Sequence, residues 1–136
     1  NSMSLDSWTA EFYQEDAETF TNKSDTECLD HSIQKWTGAL PENLAKHGMK
    51  YDNTILHQEN STESCEDSNL EFDDTTCALC QKYENCVGYF DTKSCIIVEI
   101  TGKPCHEVYN ASYNDPTEML TLLKYVKDIN SINYPS

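Results

Sequence analysis

Cations are scarce in this sequence: Lys and Arg together number nine against 24 Asp and Glu, for a net charge of -15. That balance repels nucleic acid and anionic membrane surfaces and favours cationic partners. Apolar residues are scarce too, at 38%, below the roughly 45–50% of average globular domains. No apolar run approaches the about 18 residues of a membrane span, and neither a start methionine nor an apolar signal segment opens the chain. Repeats, low-complexity tracts, HExxH, GxSxG and the P-loop are absent as well, so no catalytic residue is assigned and no enzyme activity is expected. The histidines (His31, His47, His57, His106) show no ligand spacing, so no metal and no cofactor are expected.

What is present points outside the cell. Seven cysteines accompany three N-glycosylation sequons, at Asn22, Asn60 and Asn110, and disulfides persist in the secretory pathway. The expectation is a secreted, mature, extracellular glycoprotein, one domain over residues 1–136, its modest core supported by disulfides among Cys28, Cys65, Cys77, Cys80, Cys86, Cys95 and Cys105. An odd number leaves one unpaired, and the pairing stays open. Cys77-Ala78-Leu79-Cys80 has zinc-knuckle or redox spacing. With sequons and other cysteines nearby, disulfides explain it better, and a redox CxxC would want a thioredoxin-like βαβ setting that the sequence lacks.

The densest stretch is Asp91 to Ser112. Cys95-Ile96-Ile97-Val98-Glu99-Ile100 is rich in β-branched residues and predicts a strand. Thr101-Gly102-Lys103-Pro104 predicts a turn, and Cys105 to Asn110 a returning strand. A glycan on Asn110 must stand in solvent, and alternation then turns Glu107 and Tyr109 inward. A carboxylate and a phenol on an inner face suit an organic ammonium ion, through charge and cation–π contact worth about 0.5–2 kcal/mol. Asp6 and Trp8 are the further acid and aromatic of this candidate ligand site.

Elsewhere, Leu5, Trp8 and Phe12 with Ser4 as N-cap predict an N-terminal helix. Residues 15 to 35 show no decisive pattern. Thr37 to Pro41 is a breaker cluster, and Lys50 to His57 a short strand. Asp115-Pro116-Thr117-Glu118 starts a helix whose stripe of Met119, Leu122, Leu123, Val126 and Ile129 is expected to pack outside a sheet.

Asp6-Ser7-Trp8, Cys95-Ile96-Ile97 and Glu107-Val108-Tyr109, the last two separated by nine residues, together resemble the biogenic-amine-binding lipocalins of tick saliva. The chain departs from that pattern at Ile96, where an acid is usual. The resemblance implies a small, mainly β, lipocalin-like antiparallel barrel flanked by helices, with the acid and aromatic of the triplet holding histamine or serotonin in an anti-inflammatory role. The alternative fold is an α+β module similar to PAN/apple domains, on Cys77, Cys80, Cys86 and Cys95. The alternative function is an acidic decoy that captures a basic host protein such as a chemokine.

Overall fold

The computed structural model describes residues 4–59, 69–83, 94–108 and 115–133. Seven α-helices and one small sheet are found there: α1 (Leu5–Phe12), α2 (Asp25–Thr37), α3 (Pro41–His47), α4 (Ala78–Lys82), α5 (Ile96–Thr101), α6 (Cys105–Val108) and α7 (Pro116–Asn133), with β1 (Met49–Asp52), β2 (Ile55–Gln58) and β3 (Asn69–Glu71). Two 3-10 turns, Ala17–Phe20 and Asp74–Thr76, precede α2 and α4.

Helix α2 is the hub, packed against α1, α4 and α7. It begins at a capping box, Ser24 and Glu27 satisfying each other's backbone N–H groups, an arrangement worth about 1 kcal/mol. It buries Cys28, Leu29, His31, Ser32, Lys35 and Trp36. Helix α7 lays Met119, Leu120, Leu122, Leu123 and Val126 into the core, each contributing about 1.5–3 kcal/mol by leaving water. Asp115 starts α7 by accepting from the Thr117 N–H at 3.0 Å.

The sheet is antiparallel in the order β1-β2-β3, with Tyr51 opposite Leu56 and Leu56 opposite Leu70. Asn53 and Thr54 turn the first hairpin with φ of 47° and 67°. Phe72, just past β3, carries the sheet into the helical core. Its ring lies 4.9 Å from Trp36, 5.0 Å from Tyr51 and 6.0 Å from Trp8.

The expected lipocalin-like barrel is overturned: the described residues are mainly helical, with an open three-stranded sheet. The run at Cys95 to Ile100 forms α5 because, beyond the buried N-cap Cys95, its buried residues are the adjacent Ile96 and Ile97. One helical face holds such a pair, whereas a strand would send the two to opposite sides. Packing against α7 overrides β-propensity, and Gly102, at φ 81°, ends the helix with its N–H on the Val98 carbonyl. The expected return strand is α6 as far as Val108, and Tyr109 and Asn110 lie outside the described residues. The PAN/apple-like alternative rests on Cys77, Cys80, Cys86 and Cys95, of which Cys86 lies outside the described residues. Helix α7 packs on α2 and α5 rather than on the sheet. The single strand expected over Lys50 to His57 is a hairpin.

Candidate functional site

Of the four residues expected to hold a ligand, Asp6, Trp8 and Glu107 are among the described residues and Tyr109 is not. Asp6 is exposed on α1, and Glu107 is exposed on α6 rather than facing inward. Trp8 is 0% exposed, with its indole N–H donated to the Gly38 carbonyl at 2.9 Å. Of the sequons, Asn22 is exposed and Asn60 lies, like Asn110, outside the described residues. Cys65 and Cys86 lie outside as well. No two of the five described cysteines are joined in a disulfide.

Acid and aromatic groups do meet in two other places. The first is a half-open cavity of about 70 Å³, lined among others by Lys35, Trp36, Phe72, Asp73, Cys77 and Cys80. A cation already sits in it. Lys35 is 2% exposed, its Nζ 4.8 Å from the Phe72 ring centre and 5.6 Å from that of Trp36. Nζ donates to the Thr76 carbonyl at 2.9 Å and to Thr76 Oγ1 at 3.3 Å. Burial pushes the Lys35 pKa below its ordinary value. The chain's own ammonium fills the position a ligand amine would take.

The second place is a surface cleft of about 250 Å³ between the end of α1, the first 3-10 turn and α2. Its lining includes Glu15, Glu27 and Asp30, the aromatic Phe20, and the single cation Lys23. Three carboxylates against one ammonium leave the cleft negative. Lys23 Nζ stands 5.1 Å from the Phe20 ring centre and 3.9 Å from Glu15 Oε2. Asp30 reaches across to Lys127 at 2.6 Å. Glu27 is held below the ordinary carboxylate pKa, chiefly by hydrogen bonds from Ser24, so it stays charged to low pH.

His31 forms the floor. It is 7% exposed, 4.4 Å from Phe20 and 5.0 Å from Tyr13 between ring centres. Its Nε2 stands 2.6 Å from the Glu15 carbonyl, which can only accept, so Nε2 carries the proton and donates. Burial lowers the His31 pKa, and Nδ1 is left as an acceptor with no partner. Tyr13 braces the turn, its hydroxyl oxygen accepting from the Ala17 N–H at 3.0 Å.

No motif spacing links these groups, because they come from three elements. The available signal was local: the Ser24-Asp25-Thr26-Glu27 capping box would have started α2 and placed Glu27, Asp30, His31 and Gln34 on neighbouring turns. Among the described residues, no group of three His, Cys, Asp or Glu is placed to hold a metal ion, and no helix is long and apolar enough to cross a membrane. No family model, curated protein or solved structure matches the chain.

Proposed function

We propose that this protein is a secreted, non-catalytic sequestering protein that binds a small organic ammonium ion, of the histamine or serotonin kind, in the cleft beside Phe20. The observation that carries this reading is Lys23. Its ammonium rests over an aromatic ring beside a carboxylate, as a ligand's would, but on a side chain that is 38% exposed and can swing out into solvent. Lys35, buried and held by Thr76, cannot leave. A volume of about 250 Å³ suits a ligand smaller than drug size, for which pockets run from about 300 Å³ upward.

The forces are modest. One cation–π contact gives about 0.5–2 kcal/mol and each exposed carboxylate at most about 1 kcal/mol, so a dissociation constant no tighter than about 0.2 mM is expected. Calorimetry at low salt with histamine and with serotonin tests it. Saturable one-to-one binding, weakened several-fold in Glu27→Gln and in Phe20→Leu, is the expected result. Glu27→Gln keeps the capping box and removes only the charge. Absence of heat with both amines, on protein of verified fold, would sink the reading.

The charge distribution favours a second reading, capture of a basic host protein. Lys23, Lys46, Lys82 and Lys127 each stand within 4 Å of a carboxylate and Lys35 is buried, so few of the nine cations remain to offset the acidic surface. This reading predicts steep loss of affinity with salt for a lysine-rich protein, undiminished by saturating amine.

A further inference from the structure

Lys35 poses an electrostatic problem that the cleft does not touch. An isolated ammonium in a protein interior costs several kcal/mol unless an anion or hydrogen bonds compensate it. Thr76 supplies two hydrogen bonds but no charge, and among the described residues no carboxylate stands within ion-pair distance of Nζ. The cavity wall nevertheless brings Cys77, Cys80 and Cys105 to the same space. Cys77 follows Thr76 directly, and its sulfur accepts the Cys80 N–H at 3.4 Å as the N-cap of α4. Both residues are partly exposed, and the cavity they line is open to solvent on one side.

We propose that Cys77 and Cys80 are a reactive dithiol, with the Cys77 thiolate serving as the counter-ion of Lys35 and as the nucleophile toward disulfide compounds. Cys77 Sγ attacks one sulfur of the incoming disulfide. The S–S bond breaks, one half leaves as a thiolate, and the other half remains on Cys77 as a mixed disulfide. Cys80 then gives its proton to solvent and attacks Cys77 Sγ. The second half leaves as a thiolate, and a Cys77–Cys80 bond is formed. The two cysteines are oxidised by two electrons and the incoming disulfide is reduced to two thiols.

The environment agrees with that division of labour. The Cys77 pKa is pulled down to about 6, first by the hydrogen bond from the Cys80 side chain and then by the charge of Lys35. Cys28, buried in the core, is pushed the other way, to about 11, by desolvation. Cys77 caps the turn that carries Cys80, its sulfur 3.4 Å from the Cys80 nitrogen, and a disulfide needs about 3.5–4.5 Å between β-carbons, which a local adjustment of that turn supplies. Oxidation removes the negative charge beside Lys35 and leaves its ammonium with only the more distant carboxylate of Asp73 across the cavity. The oxidised pair is therefore the less stable form and is readily reduced.

The test uses the full chain with oxidised glutathione as the disulfide. Peptide mapping of the reacted protein should show Cys77 joined to Cys80, and Cys80→Ser should stop at a glutathione adduct on Cys77. Alkylation by iodoacetamide should reach half its maximum rate near pH 6 at Cys77, against about 8.5 for an ordinary thiol. At pH 6 Cys77 should react about ten-fold faster than such a thiol, its lower intrinsic nucleophilicity being outweighed by thiolate fraction. Lys35→Met should move that half-point up. The wild-type profile needs no variant to fold. A half-point in the ordinary thiol range, an unchanged profile in folded Lys35→Met, or native Cys77 or Cys80 bonded to another cysteine would each overturn the proposal.

Discussion

Trp8 and Gly38 are packed as one unit: the indole N–H donates to the Gly38 carbonyl at 2.9 Å, and a β-carbon on Gly38 would stand 2.6 Å from the indole Cζ2. Gly38 has helical dihedrals, φ -64° and ψ -18°, so its role is clearance rather than conformational freedom. Propensity alone makes Ala better there by about 0.5–1 kcal/mol. Crowding Trp8, and Phe12 at 2.7 Å, costs about 1–3 kcal/mol and wins. Gly38→Ala is therefore expected to lower stability by about 1–2 kcal/mol, read from the urea midpoint at constant slope. A midpoint that rises would show that the indole shifts freely.

At Thr54 the sign is opposite. A β-branched residue at φ 67° occupies a region that glycine tolerates and branched side chains do not. Thr54→Gly should stabilise the β1–β2 hairpin by about 0.5–1 kcal/mol, since relief of strain exceeds the entropy gained by the unfolded chain. Thermal unfolding of the two proteins, at equal pH and salt, decides it.

Lys23 competes with any ligand for Phe20. Lys23→Gln should therefore tighten amine binding by about two- to five-fold, the equivalent of about 0.5–1 kcal/mol, while leaving stability nearly unchanged. Asp30→Asn should weaken it by a similar factor. If Lys23→Gln binds no better, the contact with Phe20 is incidental to the cleft.

Acid should weaken the fold before carboxylates begin to protonate. The folded-state pKa of His31 lies below its unfolded value near 6.5, through burial. The unfolded chain thus binds the extra proton first, and His31's contribution to stability is complete above pH 6.5 and is lost as pH falls toward the folded value. Cys77 gives a slope of the same sign at higher pH, between the ordinary thiol value of about 8.5 and about 6. Carboxylates with lowered pKa, Glu11 and Glu27, act only below about 4.5. Urea midpoints between pH 7 and 5 should fall for the wild type, and His31→Phe should flatten the part of that slope below 6.5. Parallel slopes in the two proteins would remove His31 as the cause.

The two long terminal signals were legible because cap and stripe agree. Ser4 with Leu5, Trp8 and Phe12 gives α1, and Asp115-Pro116 with Met119, Leu122, Leu123 and Val126 gives α7. Helix α2 was not legible by hydrophobic period, since three of its buried positions are His31, Ser32 and Lys35. A polar residue made internal by a carbonyl or an aromatic face scores as solvent-exposed in any one-chain pattern. Residues 96–101 misled for another reason: β-branched side chains state a local preference, and the neighbouring α7 decides against it. The chemistry of acid plus aromatic was legible, but its address was not. Phe20 and Glu27 meet only once the turn at Ala17–Phe20 has folded against α2.

Asn22 is exposed and sits between Phe20 and Lys23, both of which line the cleft. A glycan on it would rise from the rim of the binding site like a hedge. An amine could pass beneath such a hedge, whereas a folded basic protein would meet the sugar first. Material from a host that glycosylates and from one that does not would then differ in what they admit, so the choice of expression host becomes an experimental variable for partner size.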